Sequence, residues 1–128
     1  MSYYFKKTVE IPFDQAVAQV TERLKEYGFG VLTEIDVRAT LKKKLDVDFP
    51  NYQILGACNP PFAYRALLAE PEIGLLMPCN VVVRENAEGK VEVSAVDPLQ
   101  SMSSVDNPNL ADVAAEVRDK LREVIETL

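Results

Sequence analysis

The chain has 128 residues, 48% of them hydrophobic and 27% charged, and its 14 Lys and Arg against 20 Asp and Glu give a net charge of −6. This length and balance suit one α/β domain that removes roughly two thirds of its unfolded surface from water, and they exclude a disordered chain, while the acidic surplus argues against nucleic-acid binding. Histidine is absent, which excludes Ser-His-Asp and Cys-His catalysis, histidine-ligated metals and histidine pH switches.

The N-terminal MSYYFKKTVE has no apolar leader core, and no segment reaches the ~18 apolar residues of a membrane span, so a cytoplasmic chain with no membrane partner is expected. Residues 3–9 mix aromatic and β-branched side chains with polar ones and predict a first strand. Phe13, Ala16, Val17, Val20, Leu24 and Tyr27 then recur at helical steps, and Gly28 offers a left-handed stop. A second strand follows over 31–37, with Val31, Thr33, Ile35 and Val37 on one side and Leu32, Glu34 and Asp36 on the other. A short basic helix over about 39–45 follows it; the run Arg38, Lys42, Lys43, Lys44 reads either as a solvated face or as an anion contact.

Residues 52–58 are nearly apolar and contain Gly56, predicting a third, central strand covered on both faces. Asn59-Pro60-Pro61 places a capping residue and prolines where a helix starts, running to about Ala69. The apolar segment 72–77 fits no single element. Val81, Val82 and Val83 begin a fourth strand, and Asn86-Ala87-Glu88-Gly89 turns it into a fifth through Val91, Val93 and Ala95. Residues 97–108 form a long connection, either a binding loop or a surface crossing. Asn107 caps a last helix whose stripe is Leu110, Val113, Ala114, Val117, Leu121, Val124, Ile125 and Leu128. The expected order is β-α-β-α-β-α-β-β-α in a single domain over 1–128, an α/β fold of α+β-like character, with a mixed sheet and a C-terminal amphipathic helix.

The segments GFGVLTEIDV, ILGACNPPFAYRALL and GLLMPCNVVV, with Cys58-Asn59-Pro60 and Leu76-Met77-Pro78-Cys79-Asn80 as their most specific parts, closely resemble domain-of-unknown-function family 302. The likeness spans essentially the whole chain. It implies a compact, stand-alone α/β fold of bacteria and archaea that forms dimers and has no established biochemical activity.

The residues themselves offer a few candidates for chemistry. Cys58 and Asn59 fall where a strand meets a helix N-terminus, a place that gathers ligands and can lower a thiol pKa. Cys58 is therefore either a nucleophile or a small buried hydrophobe, and Asn59 either a ligand contact or a cap. Cys79 opens the next strand and would approach Cys58 if the two strands are neighbours. Two cysteines without histidine do not make a structural zinc site, so no metal is expected, although Met77 and Met102 could add thioether contacts to a soft ion. Asp36 with Glu34 forms a carboxylate pair that is either acid-base machinery or a solvated face. Tyr64 and Arg65 could bind an anion near Cys58. The chain has no P-loop, GxGxxG, GxSxG, HExxH or EF-hand loop, and no cofactor is indicated.

The leading expectation is a homodimeric module that binds a small molecule among Asp36, Cys58, Asn59 and Cys79 under a loop containing Ser101 and Met102. The alternatives are a thiol-dependent redox or sulfur-handling enzyme, with Cys58 and Cys79 as catalytic residues, and a structural or partner-binding protein with inert cysteines.

Overall fold

The computed structural model describes residues 2–128. Strands β1 (Tyr4–Val9), β2 (Gly30–Asp36), β3 (Tyr52–Cys58), β4 (Cys79–Glu85) and β5 (Val91–Val96) form one sheet in the order β1-β5-β4-β3-β2. The helices are α1 (Phe13–Glu26), α2 (Val37–Leu45), α3 (Pro60–Ala69), the single-turn α4 (Pro98–Ser101) and α5 (Pro108–Glu126), with a 3-10 helix at Pro71–Leu76. The expected strand and helix order is present, and the ambiguous segment after Pro71 is the 3-10 helix.

The sheet is not mixed, because all four pairings are antiparallel. Alternating strands and helices give parallel neighbours only where the helix carries the chain back to the end at which the preceding strand began; α2 and α3 instead lead into β3 and β4 as antiparallel neighbours of the strands before them. Here the β1-α1-β2 crossover carries the chain from one edge of the sheet to the other, and the strands then return one by one toward β1. The central strand is therefore β4, whereas β3 lies one place from the β2 edge.

One sheet face is the core face. Leu55 and Ala57 of β3, Val81 and Val83 of β4, and Val91, Val93 and Ala95 of β5 are all buried there. The stripes of α1 and α5 pack into the same cluster, and each of the first seven residues expected on the α5 stripe is buried. Asn107 accounts for where α5 begins. Its side chain accepts from the Asn109 N–H at 3.1 Å and donates to the Ala69 carbonyl at 2.8 Å, tying α5 to the end of α3.

The opposite face looks toward solvent. Val82 pairs with Ile54, which pairs with Ile35, and Ile35 is exposed. So β3 is covered by helices on one face only; Gly56, on the other, is buried by Thr33 and Pro78 instead. A bulge at Leu32 explains the rest of β2. Val31 pairs with Ala57 but Thr33 pairs with Gly56, so the extra residue puts Val31 and Thr33 on opposite faces rather than on one.

Residues 97–107 make a packed crossing rather than a loose loop. Asp97 caps α4 by accepting from the Leu99 N–H at 3.0 Å, and Pro98 and Met102 are buried. Gly28 and Gly89 hold φ of +87° and +77°, the left-handed values that their turns require.

Candidate ligand-binding site

Because β3 and β4 are antiparallel neighbours with Ala57 opposite Cys79, the end of β3 and the start of β4 lie side by side. The helix that leaves β3 and the 3-10 helix that leads into β4 therefore meet at one edge of the core. A half-open cavity of about 40 Å³ remains between α3, α5 and the Met77-Pro78 segment that leads into β4. Cys58, Asn59, Cys79 and Met102 line it, together with Met77. Phe29 and Phe62 add aromatic surface, and Leu110, Val113 and Val117 of α5 form the apolar wall. Four of the five residues expected at the site thus share one cavity.

Asp36 does not belong to it. Register places Gly30 opposite Cys58 and Asp36 opposite Gln53, so Asp36 stands at the other end of β2. There it is exposed and caps α2, accepting from the Ala39 N–H at 2.9 Å. Glu34 contacts Gln53 at 3.5 Å, and the two acids form no acid-base pair beside the thiols.

Neither cysteine has the environment of an activated thiolate. Burial pushes the Cys58 thiol up from its ordinary value, the reverse of what a helix N-terminus would do. The first two residues of α3 are Pro60 and Pro61, so two of the N–H groups that would favour a thiolate are missing. Cys79 is pushed up to about 11, first by burial and then by the neighbouring Cys58. Both cysteines are free and half-buried.

Asn59 acts differently from a helix cap. Its side chain makes no bond to the N–H groups of α3; its Nδ2 instead donates to the Tyr27 carbonyl at 3.2 Å, joining the start of α3 to the turn between α1 and β2. Gly28 makes room for it, since a Cβ there would lie 3.1 Å from Asn59 Nδ2.

The remaining candidates point away from the cavity. Tyr64 is exposed, and Arg65 is paired with Glu116 at 3.1 Å. The basic run lies on the exposed α2, where Lys42 pairs with Asp46 at 3.0 Å and Arg38 with Asn51 at 3.1 Å, as a solvated face would. Residues of the cavity wall such as Phe62 and Val113 were not among the expected site residues. Their only signal in the sequence was the apolar periodicity of their helices, which marks core and cavity wall alike.

The family model described as "Domain of unknown function DUF302" matches residues 5–128. The chain belongs to this family. It is also similar to a solved structure, an uncharacterised conserved DUF302 protein from Bacillus stearothermophilus, at 27% identity, with 98% of each chain covered and a TM-score of 0.91. No curated protein matches the chain. Among the described residues of this DUF302 chain, no helix is long and apolar enough to cross a membrane.

Proposed function

We propose that this DUF302 chain is a homodimeric module that binds a small ligand in the cavity among Cys58, Asn59, Cys79 and Met102. The observation behind this reading is the cavity itself. Protein interiors are close-packed, yet here a half-open pocket with about 40 Å³ of free volume gathers polar and sulfur-bearing residues at the ends of two strands. Burial raises the pKa of both thiols, which favours binding over thiolate chemistry. The cytoplasm is the matching setting, since a reducing medium keeps neighbouring cysteines as thiols.

The second copy belongs on the solvent-facing side of the sheet, where Tyr4, Tyr52 and Val82 border an open cleft beside Ile54 and Ile35. An antiparallel sheet leaves such a face available to a self-complementary partner.

Xenon tests the cavity. Under gas pressure it should shift the methyl NMR signals of Met102, Val113 and Val117, and Ala66→Leu, which fills the cavity from α3, should remove those shifts. Shifts that persist unchanged in Ala66→Leu, or that never occur in the wild type, overturn the assignment. Sedimentation equilibrium tests the dimer: the wild type should run as a dimer and Val82→Glu as a monomer, and a monomeric wild type overturns that part.

A further inference from the structure

The α3 helix runs antiparallel along α5. The Asn107 cap of α5 reaches the Ala69 carbonyl at the end of α3, Glu116 meets Arg65 in its middle, and Lys120 meets Phe62 at its start, with Nζ 5.8 Å from the ring centroid. Phe62 and Val117 also belong to the cavity wall, and Lys120 follows Val117 by about one helical turn. A lysine ammonium is thus held against a ring that itself lines the half-open cavity. We propose that the cavity takes an aliphatic monocarboxylate, its alkyl chain lying among Phe62, Met102, Val113 and Val117 and its carboxylate meeting Lys120 at the rim. This inference rests on the ligand-binding reading above and names the ligand's class.

The lining selects the chain. No charged side chain faces the cavity, and its one carboxamide, that of Asn59, already donates Nδ2 to the Tyr27 carbonyl. The other lining side chains are hydrocarbon, aromatic ring and sulfur. A polar chain entering there would give up hydrogen bonds to water without replacement, whereas each methylene removed from water stabilises the bound state.

The rim selects the head group. Two cations approach the Phe62 ring, Arg65 at 5.5 Å and Lys120 at 5.8 Å. Arg65 is engaged by Glu116 at 3.1 Å, so that acid and that base cancel each other. Among the described residues no carboxylate pairs with Lys120, which is half-buried. Its ammonium therefore keeps donors for an incoming acceptor, and a single positive charge matches a carboxylate better than a doubly charged phosphate. The start of α3 does not compete for the anion, because Pro60 and Pro61 remove two of its N–H groups.

The test uses hexanoate as the probe, titrated at pH 7 into the full-length protein and followed by methyl NMR. The Met102, Val113 and Val117 signals should shift saturably, and Ala66→Leu should abolish the shifts. Lys120→Gln should weaken hexanoate about fivefold, the upper end for a partly exposed ion pair, while leaving hexan-1-ol and xenon binding unchanged, and Lys120→Arg should retain hexanoate. Butanoate, shorter by two methylenes, should bind on the order of tenfold more weakly. Wild-type hexanoate affinity in Lys120→Gln, or butanoate binding as tightly as hexanoate, overturns the proposal. If xenon enters the cavity while hexanoate does not bind, the ligand-binding reading stands and the carboxylate assignment alone falls; if neither enters, both fall.

Discussion

Cys79 in the reduced protein is expected to react with iodoacetamide at pH 7 about tenfold more slowly than an unhindered thiol of ordinary pKa. Burial and the adjacent Cys58 raise its pKa from 9.0 to about 11. At pH 7 this cuts the thiolate fraction from about 10⁻² to about 10⁻⁴, a roughly 100-fold loss of nucleophile. A more basic thiolate attacks faster, with a Brønsted coefficient of about 0.4–0.5, and recovers roughly eightfold of that loss. The remaining deficit is about tenfold before any hindrance from the surrounding core. Timed labelling followed by peptide mass spectrometry gives the rate at each cysteine, with the denatured protein as reference and circular dichroism to verify folding at each pH. The Cys79 rate should keep climbing to about pH 11 instead of levelling near 9. The same shift acts on stability. The folded pKa lies above the unfolded one, so this contribution is complete below pH 9 and is lost as pH rises through about 11. Labelling as fast as in denaturant, or a plateau near pH 9, would refute the argument from burial.

Gly56→Ala should lower stability in urea by about 1–3 kcal/mol, because its Cβ would lie 2.1 Å from Thr33 Oγ1 and 2.7 Å from the rigid ring of Pro78. Gly74→Ala, with open space around it, is the control and should stay within about 1 kcal/mol of wild type; equal effects at the two positions would contradict the packing account. Asn59→Ala should cost about 1–3 kcal/mol by leaving the Tyr27 carbonyl without its partner, and an unchanged urea midpoint would show that the bond contributes nothing. Glu92 is held below its ordinary 4.5 chiefly by the Asn86 side-chain bond, then by Arg84 and Lys6. Its contribution is therefore present above pH 4.5 and is lost as pH falls through its lower folded value. Glu92→Gln should flatten the acid limb of a thermal-stability profile, and an unaltered limb would assign acid sensitivity to other carboxylates.

The elements with strong periodicity were legible from the chain alone. The α1 and α5 stripes, the 86–89 turn and the joint between β3 and α3 all depend on local chemistry, and each lies where its residues require. Sheet order was not legible, because the residues of α1 give no sign of how far across the sheet that helix carries the chain. The bulge at Leu32 was hidden for a related reason: β2 alternates as well with one extra residue as without it, and only the partner strand exposes the slip. Cys58, Asn59 and Cys79 were singled out because they fall at predicted strand ends and Met102 because it lies in the long connection before α5, and all four line one cavity. Asp36 was misplaced because a residue at one end of a strand was assigned to the opposite end of the sheet. The bond from Asn59 to Tyr27 could not be read, since it joins residues far apart in the chain.

The position of β1 beside β5 bears on how the protein is made. Tyr4 pairs with Val96 and Val9 with Val91, so β1 must wait for β5 to leave the ribosome before it can be placed. At about 5–20 residues per second, that wait lasts several seconds. Until then β2, β3 and β4 can assemble as neighbours, but the β5 edge they await does not yet exist and α1 has no completed floor on which to lie. Placement of β1 is therefore tied to synthesis having passed residue 96. A stalled or truncated product that stops before residue 96 leaves β1 as an unpaired strand edge, open to pairing with another chain.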